Sequence, residues 1–147
     1  MDIPATNLTI RYRSAPNIAL VKYWGKYDEE EILPINDSIG ITLNTDDLST
    51  ITTCAFLKDI NSDEFWLNGK LIEIGGRMKK VLEKIREAAR KSKAFEHVSE
   101  EEWRQFHFLI KSENSFPTAS GMASSASGFS CLATALNGLF GGILEER

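Results

Sequence analysis

The hydrophobic pattern keeps a two-residue period over the first half of the chain and changes to a helical period after it. Leu8, Ile10 and Tyr12 alternate with polar neighbours, as a half-buried strand does. Ala15-Pro16-Asn17 interrupts that run, and a short apolar stretch, Ile18 to Val21, then leads into Lys22-Tyr23-Trp24-Gly25-Lys26. The acidic patch from Asp28 to Glu31 reads as a solvated loop. Alternation returns at Ile39, Ile41 and Leu43, and Thr50 to Leu57 is rich in β-branched residues. The polar stretch Asn44 to Ser49 between them predicts a hairpin connection. A second hairpin is predicted where Asn68-Gly69 separates Phe65-Trp66-Leu67 from Lys70-Leu71-Ile72. Asn-Gly readily takes the positive φ angles of a two-residue type I′ turn.

From Met78 the spacing is helical: Met78, Val81, Leu82, Ile85, Ala88 and Ala89 share a face, with Lys79, Lys80, Lys84 and Arg86 largely off it. Gly75-Gly76 marks the start of that helix, and Lys91 to Glu102 is polar enough to read as a loop or short turn. Phe106, Phe108 and Ile110 restore a strand. A Gly/Ser/Ala segment follows, and Ser125 to Phe140 predicts a second helix with Phe129, Leu132, Ala133, Leu136 and Leu139 apolar, ended by Gly141-Gly142. No internal repeat or low-complexity tract is present.

Composition narrows the classes. The 147 residues suit one domain, and 42% hydrophobic with 26% charged residues is the balance of a soluble globular protein. A net charge of -4 without a basic block argues against nucleic acid as a partner, because phosphate backbones are held by clustered Lys and Arg. A small phosphorylated ligand needs only a few donors in one pocket and is not excluded. Cys54 and Cys131 lie in apolar stretches and read as two buried free thiols in a reducing compartment. No apolar run approaches the roughly 18 residues of a membrane span. Met1-Asp2-Ile3-Pro4 has no basic region followed by an apolar run, so the expectation is a cytosolic protein without a signal peptide.

Two segments carry candidate chemistry. Ser115 to Gly128 joins a strand to an apolar helix and holds almost nothing bulky beyond Phe116 and Met122. Gly and Ala let a backbone approach a ligand closely, unpaired N–H groups at a helix start point towards it, and Ser124 and Ser125 add hydroxyl donors. Phosphate is the matching partner, although composition alone fits a flexible linker or a plain helix cap equally well. No Lys follows the glycines, so the segment is not a Walker loop. In the other segment, Lys22 and Lys26 bracket two aromatics and a glycine. If that stretch stays extended, Lys22, Trp24 and Lys26 share a face suited to an anion, and a bend at Gly25 would remove Lys26 from it. Taken by itself it also reads as a strand end with solvated lysines.

Together the segments are more specific. Ala15-Pro16-Asn17-Ile18-Ala19-Leu20-Val21-Lys22-Tyr23-Trp24-Gly25-Lys26 resembles the N-terminal signature of the diphosphomevalonate decarboxylase family of the GHMP kinase superfamily. Leu33-Pro34-Ile35-Asn36-Asp37-Ser38, Trp66-Leu67-Asn68-Gly69 and Asn114 to Gly128 resemble the same family in collinear order, over nearly the whole chain. Other superfamily kinases share the small-residue loop, whereas the Lys-Tyr-Trp-Gly-Lys block separates this family from them. The implied fold is α+β, the N-terminal part of the GHMP kinase fold, an antiparallel sheet with two main helices in one domain over residues 1–147. Missing C-terminal elements would leave a sheet face or edge exposed.

The family uses ATP and Mg2+ to convert mevalonate 5-diphosphate to isopentenyl diphosphate, carbon dioxide, ADP and phosphate. The resemblance places Lys22 beside the reacting hydroxyl and the transferring phosphoryl group, as the catalytic residue. It places Asn17, Tyr23, Trp24, Gly25, Lys26 and Arg77 on the substrate, with Arg77 at its diphosphate. Ser120, Gly121, Met122, Ala123, Ser124 and Ser125 then form the ATP phosphate loop, and no protein metal ligand is assigned. Ser120, Met122 and Ser127 stand where the family more often has Ala, Leu and Ala. A substrate-binding arginine and an aspartate base are expected beyond Arg147, so the chain is expected to be an inactive N-terminal fragment, with a homodimer possible. The rival readings are another superfamily kinase of small molecules and a non-catalytic nucleotide-binding module. His97 and His107 have no triad partners in the sequence and read as surface residues.

Overall fold

The structure, a computed structural model, describes residues 8–22, 24–28, 33–117 and 124–144. In chain order the strands before the first helix are β1 (Leu8–Ser14), β2 (Asn17–Val21), β3 (Lys26–Asp28), β4 (Leu33–Pro34), β5 (Ile39–Thr42), β6 (Thr50–Leu57), β7 (Glu64–Leu67) and β8 (Lys70–Ile72). Helix α1 (Gly76–Lys91), a 3-10 turn at Lys93–Phe95, the short α2 (Glu100–Trp103), strand β9 (His107–Asn114) and helix α3 (Ser124–Leu139) complete the order.

The main sheet has five strands in the order β1-β6-β9-β7-β8. It is mixed rather than antiparallel as expected, because β7 runs parallel to β9. Parallel neighbours need a long crossover between them, and the segment containing α1 supplies it. The expected hairpin through Asn44 to Ser49 does not form: β5 pairs with β2, while both edges of β6 are taken by β1 and β9. The intervening residues instead make a compact turn, with the Asn44 side chain accepting from the Asp46 N–H at 3.0 Å. The Asn68-Gly69 hairpin forms as predicted, with φ of 48° and 76°. Lys91 to Glu102 is more ordered than a loop. In it Ser99 and Glu102 form a reciprocal capping box at the start of α2.

Both long helices contribute to one core against the main sheet. Helix α1 buries Leu82, Ile85 and Ala89, following the predicted face, and its N-cap is Gly75. Helix α3 buries Cys131, Leu132, Ala135, Leu136 and Leu139 on a single stripe and leaves Ala133 exposed. Each fully buried Leu of this set contributes about 1.5–3 kcal/mol by leaving water. Between the helices and β6 and β9 sits an aromatic cluster. Phe56 stacks on Phe106 at 4.9 Å between centroids and meets Phe140 edge-on at 5.3 Å. Asp63 closes the edge of this cluster. Its carboxylate takes two bonds from Arg86, at 2.6 and 2.9 Å, and one from the Phe108 N–H at 2.8 Å. The Arg86 guanidinium lies 4.5 Å from the Phe108 ring centre.

Strands β2–β5 and β3–β4 form two separate two-stranded ribbons outside that core. They and their connections expose Leu20, Val21, Trp24, Tyr27, Ile35, Ile39 and Ile41. Two-stranded ribbons are marginal in water by themselves. No helix among the described residues is long and apolar enough to cross a membrane.

Candidate functional site

The start of α3, with Ser124 and Ser125, sits over one end of the main sheet, and the strand register sets the polar contacts that hold it there. Ser14 ends β1, Thr50 begins β6 and Asn114 ends β9, and these three lie opposite one another in the ladder. Helix α3 starts above that end. Its buried Ser127 places its hydroxyl 2.8 Å from that of Thr50 and 3.2 Å from that of Ser14. The Ser14 hydroxyl also donates to the Ser127 carbonyl at 3.1 Å. Thr50 in turn donates to the Asn114 side chain at 2.8 Å, and the Asn114 N–H donates to the Asn68 side chain at 2.9 Å. This chain of polar contacts fixes the start of α3 over the sheet and sets the Asn68-Gly69 turn beside it. The Ser49 and Ser115 backbones add a bond of 2.8 Å that holds the beginning of the small-residue loop against β6.

Ser124 and Ser125 occupy the first turn of α3, Ser125 exposed and Ser124 half-buried. Both border a cavity of about 220 Å³ between α3 and the sheet, whose other walls include Thr52, Phe65, Leu67, Met78 and Phe129. Ser120, Gly121, Met122 and Ala123 lie outside the described residues. Arg77 is the second residue of α1 and is exposed, with its guanidinium 5.7 Å from the Phe129 ring of α3. The two helices therefore bring Arg77 to the serine-bearing end of α3, although 47 residues of sequence separate Arg77 from Ser124.

The lysine segment leaves from the same end. Ser14 is followed by the buried Ala15-Pro16 corner, where the Pro16 carbonyl accepts from the Leu43 N–H at 2.9 Å, and β2 begins at Asn17. Asn17 donates to the Thr42 hydroxyl at 3.0 Å. Its side chain lies directly over Gly40, where a Cβ would meet the Asn17 oxygen at 2.1 Å, so any larger residue there would displace the Asn17 side chain. Lys22 stands just past the end of β2 and is exposed, Trp24 is 82% exposed, and Lys26 opens β3 half-buried. Tyr23 lies outside the described residues. The chain bends at Gly25, whose φ of 98° suits glycine, so Lys26 does not continue the strand face of Lys22.

Sequence reasoning missed the residues that hold these pieces in place. Ser127 is a polar residue on the buried stripe of α3, Thr50 opens a buried strand, and Gly40 sits in a segment of unremarkable pattern. Ser127 carried a signal, a hydroxyl at an apolar position, and Asn36 carried one by lying in the Leu33 to Ser38 block. Burial, with a smaller contribution from Cys131, pushes the Cys54 thiol up to about 12, which keeps it protonated and unreactive. The backbone and side-chain hydrogen bonds of Ser99 hold Glu102 below the usual carboxylate range. His107 lies 3.8 Å from Asp63 at the edge of the aromatic cluster, away from the serines. No group of three or more His, Cys, Asp or Glu that could hold a metal occurs among the described residues.

Comparison with known proteins identifies the family and the fold. The family described as the diphosphomevalonate decarboxylase-like N-terminal domain matches residues 14–147. Diphosphomevalonate decarboxylase of Bos taurus is 46% identical over 127 residues, which is 85% of this chain and 32% of that protein. Its Homo sapiens counterpart is 44% identical over 129 residues, again 85% of this chain and 32% of its own length. A crystal structure of mevalonate diphosphate decarboxylase from Staphylococcus aureus superposes with a TM-score of 0.74 at 34% identity, covering 95% of this chain and 38% of that one. A complex of MDDEF with MVAPP, AMPPCP and magnesium gives 0.74 at 37% identity, covering 95% and 39%. The chain spans about a third of the length of the curated relatives it matches. By the match over residues 14–147, and by the fold it shares with those structures, the chain belongs to the diphosphomevalonate decarboxylase-like family.

Proposed function

We propose that this chain is the nucleotide- and substrate-gripping portion of an ATP-dependent decarboxylase that converts mevalonate 5-diphosphate to isopentenyl diphosphate. The observation that carries the reading is the convergence at one end of the sheet. There the serine-bearing start of α3 is tied through Ser127 to Thr50 and to Ser14, the end of the strand that precedes the lysine segment. Phosphoryl transfer asks little of a protein beyond positioning and neutralising phosphate charge. In this reading Ser124 and Ser125, with the loop residues Ser120 to Ala123, hold the ATP phosphates at the helix start. The mostly apolar cavity beside them accepts the nucleobase.

Lys22 then offsets charge at the tertiary hydroxyl as it takes the terminal phosphoryl group from ATP. Asn17, Tyr23, Trp24, Gly25 and Lys26 orient the rest of the substrate, and Arg77 binds its diphosphate. The phosphorylated hydroxyl leaves as phosphate while the carboxylate is lost as carbon dioxide, and the electron pair of the broken carbon–carbon bond becomes the alkene. Mg2+ is usually held by phosphate oxygens and waters with few protein groups, so the Ser124 and Ser125 hydroxyls fit it without an acidic cage. When bound it supplies neutralisation of phosphate charge. The base and a further substrate arginine belong to the part of the relatives that lies beyond this chain.

That part would also cover the apolar ribbons of β2–β5 and β3–β4, and without it a second copy of this chain competes for them. We place the protein in the cytosol, in isoprenoid and sterol synthesis. The test is a chimera that joins residues 1–147 to the C-terminal two-thirds of a relative, given ATP, Mg2+ and mevalonate 5-diphosphate. Equal release of ADP and carbon dioxide is expected, with Ser125→Ala raising the KM for ATP while leaving the unfolding midpoint in place. Release of ADP without carbon dioxide would make the protein a kinase and overturn the reading.

A further inference from the structure

The lysine-bearing turn is held by one side chain that the substrate reading does not use. Asn36, two residues past the end of β4, accepts the Trp24 N–H through its Oδ1 at 3.1 Å. Its Nδ2 donates to the Lys22 carbonyl at 3.5 Å and to the Asp37 carbonyl at 2.8 Å. One amide thus spans the chain on both sides of position 23 and anchors it to the β4 segment. The orientation of the amide follows from its partners, since a backbone N–H demands the oxygen and the two carbonyls demand the nitrogen.

Two further contacts couple the same segments. The Ile35 N–H donates to the Gly25 carbonyl at 3.3 Å. The Gly25 α-carbon faces Ile35 closely enough that a Cβ there would lie 3.0 Å from its Cδ1. The turn follows the last residue of β2 and carries Trp24 at 82% exposure. A lysine on such a turn would spend most of its time away from any one anion unless the backbone were held.

We propose that Asn36 is a positioning residue. By clasping Lys22 and Trp24 it presets the turn from which Lys22 and Lys26 meet an anionic substrate. It touches no reacting atom itself. Preorganisation of this kind lowers the ordering cost on binding, so its removal weakens substrate affinity without altering the fold or the nucleotide site. The substrate half of this proposal rests on the proposed function, whereas the clasp itself does not.

The experiment has two readouts on the 147-residue chain and one on the chimera. Amide hydrogen exchange by NMR reports the clasp directly. Trp24 is expected to exchange about tenfold faster in Asn36→Ala, the scale of one net hydrogen bond, and to stay protected in Asn36→Asp, which keeps the acceptor. The amides of β6 and β9 should be unchanged in both variants, which separates the clasp from general unfolding. In the chimera, Asn36→Ala should raise the KM for mevalonate 5-diphosphate about three- to tenfold with the KM for ATP unaltered.

A Trp24 amide that exchanges equally fast in wild type and Asn36→Ala overturns the clasp, whatever the chimera does. Faster exchange with an unchanged KM for mevalonate 5-diphosphate overturns the positioning role. If the chimera does not turn over mevalonate 5-diphosphate at all, the proposed function fails and the positioning role for that substrate fails with it. The clasp is still decided, by exchange alone.

Discussion

Gly40→Ala is the sharpest test of the geometry at the substrate end. Asn17 pairs with Thr42 across the ribbon, so Gly40, two residues earlier on β5, is its diagonal neighbour on the same face. A methyl group at position 40 would come within 2.1 Å of the Asn17 Oδ1 and 3.0 Å of its Cγ. That overlap exceeds an ångström relative to an ordinary contact, but the clashing atoms are the far end of a flexible, exposed side chain. Asn17 swings away and gives up its bond to Thr42. For stability the terms nearly cancel. Ala in place of Gly in a strand is worth about 0.5–1 kcal/mol, and the exposed hydrogen bond contributes about as much. The unfolding free energy should therefore move by less than about 0.5 kcal/mol.

Binding should respond differently. If Asn17 hydrogen-bonds a charged group of the substrate, losing that contact costs about 1.5–3 kcal/mol, or a ten- to hundredfold fall in kcat/KM of the chimera for mevalonate 5-diphosphate. Both substitutions act on one side chain, so the double variant Asn17→Ala/Gly40→Ala should be no worse than Asn17→Ala. Urea unfolding, steady-state kinetics and the NMR signals of the Asn17 side-chain amide measure the three quantities. An Asn17 amide signal that does not move, or additive losses in the double variant, would refute the steric argument.

Asp63→Ala should destabilise the chain by about 2–3 kcal/mol in urea unfolding, because it strands the half-buried Arg86 guanidinium and the Phe108 N–H together. Asp63→Asn, which keeps one acceptor, should cost less. Cys54 should resist Ellman's reagent at pH 8 in the folded chain and react once denaturant is added, since a thiol raised to about 12 is almost wholly protonated there. Ile39 and Ile41 are 60% and 53% exposed on the β2–β5 ribbon, so the isolated chain should self-associate in sedimentation velocity. Ile41→Lys should shift it towards monomer, and an unchanged distribution would show that other surfaces drive association.

What the sequence determined was local. The period-two run of β1, the two-faced spacing of α1 and the Asn-Gly turn depend on a few neighbouring residues and on backbone geometry, so they were legible from the chain alone. Lys22 and Ser125 stood out for the same reason, as donors within short patterns of small or apolar residues. Partner choice was not local. Nothing in the sequence near Ile39 to Leu57 says that β5 joins β2 while β6 goes between β1 and β9, or that β7 lies parallel to β9 across a crossover containing α1. Those pairings follow from which faces can be buried together, a property of the whole core. The tertiary structure likewise decided that Ser127 bonds Ser14 and Thr50, that Arg77 reaches Phe129, and that Asn36 holds the Lys22 turn. Each joins segments between 12 and 113 residues apart in sequence, a distance over which only folding, and not pattern, sets who meets whom.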